Sequence, residues 1–402
     1  MKEWGYGRVK DLIESLESGV SVNGSAGAPT TDEPAVLKVS AVTYGIFNPQ
    51  ASKPIRSATE LKRAKCNPRA GEIIISRSNA PNMVGASAYI TSDYPNRFLA
   101  DKLWQTIQKK EVPTDMKWLA LFLASPWARY RLTSLATGTS SSMKNITKSE
   151  LMTLPLPIPP LPEQKAIADL LSTWDEAIEK IEKLIQAKEK QFNKILHNLI
   201  YVPTLEGKWK QVKTKSLFKE RKETKRGDLP LLSITNSEGV IPREDTNRKD
   251  SSNKDKSKYL RICPGDIGYN TMRMWQGVSA LSSLEGIVSP AYTICTPGEK
   301  LCSLFVAYLF KMPFMINRFY RYSQGLTSDT WNLKYHHFSE VKMPLPAIEE
   351  QEQIANTLST AQQEINLLKQ IAEKYKAQKR GLMQKVLTGE WRIKPEVVKR
   401  YA

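Results

Sequence analysis

The chain is poor in the residues that build metal sites and redox centres. The four cysteines and three histidines among its 402 residues are Cys66, Cys263, Cys295, Cys302, His197, His336 and His337. There is no CxxC pair, no HExxH run and no other ligand spacing, whereas zinc sites and disulfide frameworks need closer or more regular grouping. The sequence therefore predicts free, buried thiols in a reducing cytoplasm, structural or surface histidines, and no bound metal.

Nucleotide-binding and catalytic motifs are also missing. The chain has no GxGxxG, no GxxxxGK[ST] and no Asn/Asp-Pro-Pro-aromatic signature of a methyltransferase. Carboxylates stand among basic residues in PREDTNRKD from Pro242, but a nuclease core needs them on paired strands. We therefore predict a binding protein with no catalytic residues.

Long apolar runs are absent as well. No uninterrupted run approaches the roughly 18 apolar residues of a membrane-spanning helix. The N-terminal MKEWGYGRVKDLIESLESG lacks the apolar core of a signal peptide. The prediction is a cytoplasmic protein that is neither exported nor embedded in a membrane.

Positive charge is what the chain has in excess. Fifty-nine Lys and Arg against 41 Asp and Glu give a formal net charge of +18. Such an excess attracts polyanions, and nucleic acid is the commonest one inside cells. A merely soluble basic protein is the alternative that charge alone leaves open.

The sequence contains an internal repeat. The segment from Glu163 matches the segment from Glu350 at an offset of 187 residues, with eight of the first sixteen positions identical. Both copies also open near a tryptophan, Trp4 and Trp209. The chain is therefore a tandem of two half-molecules, alike in their helices and divergent in their globular parts.

Each copy ends in a long helical segment with an apolar seam. The seam residues recur in alternating steps of three and four, as in a coiled coil, with Lys188 as a polar interruption. They are Leu171, Trp174, Ile178, Ile181, Ile185, Phe192, Ile195, Leu199, Leu358, Ile365, Leu368, Tyr375, Leu382 and Val386. Two such stripes most simply bury each other in an antiparallel coiled coil, and packing of each helix on its own globule is the alternative.

A proline-rich segment precedes each helix, with PLPIPPLP beginning at Pro155 and MPLP at Met343. Proline biases the preceding residue toward extended geometry and is tolerated only in the first helical turn. The pattern predicts a stiff extended lead that ends each globule and starts the helix at a fixed angle.

The globular parts read as mixed α/β, with short strands predicted at GEIIIS, GASAYIT, LPLLSIT and GVSALSS. Helices are predicted at MKWLALFLASPWARYRLTSLA and LCSLFVAYLFKMPFMINRFYRYS. The predicted segments are a globule at 1–153, a joint and central helix at 154–202, a second globule at 203–341, a joint and distal helix at 342–389, and a tail at 390–402. The tail is too short to be a domain and can pack back onto the start of the chain.

Candidate DNA-binding residues lie in matching loops of the two halves. Sequence readout uses Arg, Lys, Asn and Gln on base edges, with basic and hydroxyl groups on phosphates. The candidates are Arg77, Asn79, Asn82, Ser141, Lys144 and Asn145 in the first half, and Asn270, Arg273, Gln276, Gln324, Trp331 and Asn332 in the second. A basic loop, NRKDSSNKDKSKYLR from Asn247, is a further candidate for contacts along phosphates.

The repeated joint, Pro-x-Pro followed by Glu-Gln-x-x-Ile-Ala-x-x-Leu, resembles the specificity (S) subunit of type I restriction-modification systems. The resemblance covers essentially the whole chain and is strongest at 138–200 and 325–389. GLMQKVLTGEWRI from Gly381 matches the usual end of the second coil in that family, whereas the first coil ends in ILHNLIYVPTLEGKW without the Leu-Thr-Gly.

The resemblance implies two target-recognition domains that each read half of a split, asymmetric site in double-stranded DNA. The paired coils would set the unread spacer, and two methylation (M) subunits would dock against them. Nuclease/translocase (R) subunits would complete the complex. S-adenosylmethionine, ATP and Mg are then expected on the partner subunits, with no cofactor bound by this chain.

Three alternatives stay open at this point. A subunit of a methylation-only or other phage-defence complex without a nuclease would have the same sequence features. An RNA-binding scaffold would carry an aromatic-rich recognition signature, which is not found. A self-sufficient nuclease would cleave DNA with metal and no partner.

Overall fold

The computed structural model describes residues 3–43, 45–138, 143–236, 238–246, 255–327 and 330–402. It divides into two compact units: Met1–Glu182 with Gln370–Ala402, and Lys183–Lys369. Both long helices contribute to each unit, because the boundary falls inside each of them. Within the described ranges no helix has the length and apolar character needed to cross a membrane.

The first unit holds strands β1–β11 and helices α1–α5, together with one part of each long helix. The strands are Gly5–Arg8, Ile13–Ser18, Ala35–Leu37, Ser52–Pro54, Ile73–Ser76, Ser78–Asn79, Ser87–Tyr89, Arg97–Phe98, Leu103–Gln108, Lys144–Asn145 and Pro155–Ile158. The helices are Val9–Leu12, Ala58–Arg63, Met116–Ala124, Pro126–Leu135 and Lys148–Met152. The central long helix, α6, is Leu161–Leu196; a π-helical turn, His197–Tyr201, and α7, Val202–Leu205, follow it.

The second unit holds strands β12–β21 and helices α7–α10, together with the other part of each long helix. The strands are Lys210–Lys213, Phe218–Glu220, Leu232–Ile234, Val240–Pro242, Leu260–Ile262, Ile267–Asn270, Ser279–Leu281, Gly286–Val288, Tyr292–Pro297 and Lys342–Leu345. The helices are Ser303–Leu309, Pro313–Tyr322 and Tyr335–Phe338. The distal long helix, α11, is Ile348–Thr388, and α12, Pro395–Val398, lies in the tail.

Both units contain the same four-stranded antiparallel sheet. Its order is β2-β9-β5-β7 in the first unit and β13-β20-β17-β18 in the second. The strands predicted from the sequence form β5, β7, β14 and β18. The units differ beside this sheet: the first has a three-stranded sheet, β4-β3-β8, and the second has the pairs β14-β15 and β16-β19. The repeat therefore preserves the sheet and diverges at its margins.

The two predicted helical segments of the globules each form two helices. Ser125 precedes Pro126, and its hydroxyl accepts a hydrogen bond of 3.2 Å from the Ala128 amide. In the second unit Pro313 stands in the first turn of α9 in the same way. The proline ring is accepted in a first turn but not in a helix interior, so each segment breaks there.

The proline joints are strands that pair with the start of each half. β11 pairs antiparallel with β1, bringing Pro157 opposite Tyr6, and β21 pairs with β12, bringing Pro344 opposite Gln211. Each pair is an isolated two-stranded ribbon. The proline nitrogens, which have no N–H to donate, can therefore face the outer edge of the ribbon, where no strand pairs with them. The predicted extended lead is thus correct, and the first strand of each half fixes its direction.

The Glu-Gln motif that opens each long helix explains why the joint is repeated. Gln164 is buried; its side chain accepts from the Asp115 amide at 2.9 Å and donates to the Pro159 carbonyl at 2.9 Å. Gln351 is buried too, and it accepts from the Cys302 amide at 3.0 Å and donates to the Pro346 and Lys300 carbonyls at 3.0 and 3.1 Å. The glutamine holds the helix start to the globule through backbone groups.

The long helices pair antiparallel within each unit. In the first unit the Trp174 and Tyr375 rings lie 5.6 Å apart, and Glu182 pairs with Lys376 at 2.9 Å. In the second unit, Lys188 Nζ lies 2.7 Å from Glu364 Oε1, and the α6 residues around Ile195 pack near Leu358. Every predicted seam residue is buried or half-buried, and the polar seam position Lys188 is neutralised across the pair.

The C-terminal tail packs onto the start of the chain. The guanidinium of Arg392 lies 5.2 Å from the centroid of the Trp4 ring and makes two 2.7 Å contacts with the carboxylate of Glu163. Glu163 is buried. Burial raises the pKa of Glu163, but hydrogen bonds from Arg392 and Trp4 outweigh that effect and leave the pKa below its ordinary value.

All four cysteines are free, as predicted, but the expected burial holds only for Cys295. The other three are half-buried, because they lie outside the strands: Cys66 in a loop, Cys263 just after β16 and Cys302 just before α8. Burial raises the pKa of Cys66 to about 12, with a further contribution from Glu17.

Candidate nucleic-acid interface

In the first unit, the structure brings the two candidate loops together. β6 pairs with β10, so that Asn79 lies opposite Lys144 and Ser78 opposite Asn145. The Ile146 amide also donates to the Arg77 carbonyl at 2.9 Å. Residues far apart in sequence therefore form one surface beyond the end of strand β5.

Several side chains on this surface are occupied by local hydrogen bonds. Arg77 Nε donates to the Asp101 carbonyl at 2.8 Å, and Lys144 Nζ donates to the Gly138 carbonyl at 3.0 Å. The amide of Asn79 donates to Ser76 Oγ at 3.3 Å and accepts from the Ala80 amide at 2.8 Å. Asn82 is exposed. The side chains of Arg77, Asn79 and Lys144 are therefore each held by a group of a neighbouring loop segment.

Ser141 lies in the segment 139–142, outside the described residues. The ends of that segment are defined, since Thr137 and Asn145 exchange backbone hydrogen bonds of 2.8 and 2.9 Å. The described residues Thr137 and Asn145 therefore lie side by side, next to β6.

In the second unit, the corresponding loops also meet. The Leu333 amide donates to the Thr271 carbonyl at 2.8 Å, which joins the loop before the proline joint to the turn after β17. The rings of Trp275 and Trp331 lie 5.2 Å apart in an edge-to-face arrangement. Gln324 and Asn332 exchange backbone hydrogen bonds of 2.8 Å. The pairing of candidate segments is therefore common to both units.

A cleft of about 600 Å³ opens beside this junction. Asn270, Arg273 and Gln276 line it, and Arg273 and Gln276 are exposed. The Asn270 carboxamide oxygen accepts from the Met272 amide at 3.0 Å, which leaves its NH₂ group for a ligand. An adjoining cleft of about 490 Å³ shares Asn270 and continues toward Lys258. Amide and guanidinium groups on one concave surface suit hydrogen bonding to base edges.

Two further residues of this cleft, which were not among the sequence candidates, carry the amide and guanidinium groups that bind base edges. Arg243 and Asn236 line it together with Gln276, and Arg243 Nη1 lies 3.3 Å from Ser233 Oγ. Arg243 belongs to PREDTNRKD, the segment whose carboxylates among basic residues suggest a nuclease motif rather than a DNA-reading loop. The sequence feature that points to Arg243 is its position just after β15, in a loop as polar as the loops that carry the candidate residues. Most of the basic loop that follows, 247–254, lies outside the described residues.

Half-buried cations support the connection between an inner strand and the edge strand in both units, from β17 to β18 and from β5 to β7. Lys311 Nζ donates to Asn236 Oδ1 at 2.7 Å, to the Gly277 carbonyl at 2.9 Å and to the Ser279 carbonyl at 2.7 Å. In the first unit, Arg129 donates to the carbonyls of Val84 and Asn82, at 2.6 and 3.1 Å. Burial lowers the pKa of Lys311 to about 8 and also lowers the pKa of Arg129. Uncharged oxygens thus hold a positive charge beneath each candidate surface.

Comparison with known proteins gives a consistent family. A family model described as the type I restriction modification DNA specificity domain matches residues 1–189 and again residues 209–377. The specificity subunit of the type I restriction enzyme MjaVIII from Methanocaldococcus jannaschii is 26% identical over 316 residues, covering 71% of this chain and 72% of that protein.

Solved structures agree at the level of the fold. The S subunit of a type I restriction-modification system from M. genitalium aligns with a TM-score of 0.56 and 16% identity over 96% of each chain. A chain from a structure that describes complex assembly and conformational transition of a type I R-M system aligns with a TM-score of 0.55 and 14% identity, over 97% of this chain and 99% of that one.

Proposed function

Because the chain belongs to the type I restriction modification DNA specificity family, we propose that its two units read the two halves of one bipartite, asymmetric DNA site. One observation carries this proposal: the same sheet, with the same junction of two loops, occurs in both units with different side chains. Asn79 and Lys144 meet at one junction, and Trp275 and Trp331 meet at the other. Equal surfaces would read a palindrome, whereas unequal ones read two different half-sites.

In the second unit, we assign base reading to the cleft lined by Asn270, Arg273 and Gln276. Arg pairs with guanine edges, and Asn and Gln pair with adenine edges. The exposed basic residues around them would contact phosphates, which gives affinity without sequence preference. Arg243 joins the proposed readers because it lines the same cleft.

We assign target recognition to residues 1–153 and 203–341, and spacer setting to the coiled coil of 154–202 and 342–389. Methylation subunits are proposed to dock on the coil, and nuclease/translocase subunits to join them. S-adenosylmethionine, ATP and Mg would then act on the partner subunits. The support for this assembly is family membership and the solved relative that belongs to a type I R-M assembly.

The proposal is tested by long-read methylome sequencing of a host that expresses this chain with its neighbouring methylation subunit. The expected result is a split motif with a fixed unread gap and modified adenine on both strands. Gln276→Ala should relax the motif at one position of one half-site, by about 1–3 kcal/mol of discrimination. The matched control is Gln353→Ala, an exposed glutamine of α11, which should leave the motif unchanged. A continuous motif would mean that only one unit reads sequence.

A further inference from the structure

The second unit exposes a compact apolar edge beside its cleft. Leu326 is fully exposed at 101% relative accessibility, and Met272 and Tyr320 are about half exposed at 50% and 46%. The centroid of the Trp331 ring lies 4.9 Å from that of Tyr320 and 5.2 Å from that of Trp275. Surface leucines are common singly, but a leucine beside packed tryptophans forms a patch.

The described residues near Leu326 make several backbone contacts. Gln324 and Asn332 exchange two 2.8 Å backbone hydrogen bonds, and the Thr330 amide donates to the Thr327 carbonyl at 3.0 Å. Gly325 has a φ of +151°. A Cβ on Gly325 would lie 2.7 Å from the Thr330 carbonyl carbon and 2.8 Å from Trp331 Cδ1. The backbone is therefore packed against the tryptophan, and Leu326 points from a fixed base.

The apolar edge is attached directly to the proposed base-reading turn. Trp275 lies between Arg273 and Gln276 in sequence, and its indole N–H donates to the Met272 carbonyl at 3.0 Å. The backbone amide of Leu333, two residues after Trp331, donates to the carbonyl of Thr271 in the same turn at 2.8 Å. A molecule held in the cleft would therefore meet the edge at the same time.

The charge around the edge favours a polyanion over a protein partner. Arg273, Arg321 and Lys334 are exposed and belong to the three segments that build it. A basic rim around an apolar tip suits duplex DNA, whose phosphates are met by the rim while the tip reaches the stacked bases.

We propose, resting on the function proposed above, that Leu326 inserts between two base pairs at one step of the half-site read by the second unit. The Trp275–Trp331–Tyr320 cluster packs beside the backbone of Gly325, and Leu326 projects from that place into solvent. An apolar wedge partly unstacks the step and kinks the duplex, and the cost depends on the step, being lowest for flexible pyrimidine–purine steps. The half-site would thus be selected at a position without a hydrogen-bonded base edge.

The wedge is expected in one half-site only. At the repeat offset of 187 residues, the position matching Leu326 is Thr139, a polar residue in the segment 139–142 outside the described residues. A threonine lacks the apolar bulk to hold base pairs apart. The two half-sites should therefore differ in their distortion as well as in their sequence.

The test uses the complex of this chain with its methylation subunits, bound to duplexes that carry its motif. 2-Aminopurine replaces each adenine in turn, and permanganate probes each thymine, across both half-sites. The adenines that the methylation subunits modify are expected to leave the stack and to give a signal in both half-sites. Apart from those adenines and the thymines opposite them, we expect for the native chain a rise of about threefold or more in fluorescence or reactivity at one step of one half-site. Leu326→Ala should abolish that rise and weaken binding roughly tenfold. Leu205→Ala, an exposed leucine of the same unit at 73% accessibility, is the matched control and should keep both.

The other outcomes separate the two proposals. If the native complex prefers its motif but shows no rise apart from the target adenines and the thymines opposite them, and Leu326→Ala binds equally well, the wedge is wrong and bipartite reading stands. If Leu326→Ala keeps its DNA affinity but loses methylation subunits on gel filtration, the edge is a protein-docking surface and the wedge is overturned. If the native complex has no sequence preference, both proposals fall.

Discussion

The indole N–H of Trp209 donates a hydrogen bond of 3.1 Å to the carboxylate of Glu350, 141 residues later in the chain. The same bond joins Trp4 to Glu163 at 2.9 Å in the first unit. Each half therefore opens with a tryptophan that is bound to the first turn of the long helix at its end. The Glu-Gln motif therefore connects the start of each half-molecule to its end. The Glu accepts a hydrogen bond from the tryptophan, and the Gln bonds to backbone groups of the globule.

Arg392 should be needed for the stability of the first unit, because Glu163 is buried and Arg392 neutralises it. We expect Arg392→Ala to lower the free energy of unfolding of that unit by about 3 kcal/mol, since it leaves a buried carboxylate without its cation. Urea denaturation followed by tryptophan fluorescence measures the change. Arg380→Ala, at an exposed position of α11, is the control, and equal effects of the two substitutions would contradict the prediction.

The pH dependence of the same unit has a defined sign. The pKa of Glu163 is lower in the folded chain than the ordinary value of 4.5. A lowered folded pKa gives stability that is complete above the unfolded pKa and is lost as the pH falls through the folded one. The difference in melting temperature between the native chain and Glu163→Gln should therefore be constant above about pH 5 and shrink below about pH 4. A difference that grows toward low pH would refute the role of the charge.

Gln351 should be intolerant of truncation. Its side chain satisfies one backbone amide and two carbonyls at a fully buried position. Gln351→Ala leaves these groups without partners, at a cost of about 3 kcal/mol in the second unit. Gln353→Ala, two residues further along and exposed, should cost less than about 0.5 kcal/mol. Chemical denaturation of both variants gives the comparison.

Lys311 should position the base-reading cleft from beneath. Its ammonium group joins Asn236 on one wall to the carbonyls of Gly277 and Ser279 on the other. Lys311→Met fills the space but makes none of these bonds, so we expect relaxed discrimination in the half-site of the second unit by about tenfold. Competition binding with single-base variants of both half-sites measures it. Lys219→Met, at an exposed strand position, is the control; a loss spread equally over both half-sites would indicate a general charge effect.

The elements that depend on local pattern were predictable. The seam of the long helices follows from a period of three and four, the extended joints follow from proline, and strands such as β5 and β18 follow from β-branched residues bounded by glycine. The break at Ser125–Pro126 was equally available from local chemistry, because serine caps a helix and proline starts one.

Long-range contacts were less accessible from the sequence. The repeat indicated which loops correspond, but only the structure shows that Asn79 faces Lys144 and that Thr271 binds Leu333. Sequence patterns do not reveal Arg243 and Lys311, because no motif spacing marks them. Arg243 matters because it lines the cleft, and Lys311 because it binds the backbone of the turn beside it. Candidates such as Arg77 and Asn332 carry suitable groups, yet local hydrogen bonds already use them.

The discontinuous make-up of the first unit has a consequence for how the molecule is made. Its segment 370–402 is synthesised after the whole of the second unit, 183–369. On the ribosome, the second unit can complete its core while the first still lacks Arg392 and the helix face of Met383 and Val386. The part of the chain that is translated first is thus the last to be finished. An unfinished nascent chain would carry an open apolar groove along α6 until the closing helix emerges from the exit tunnel.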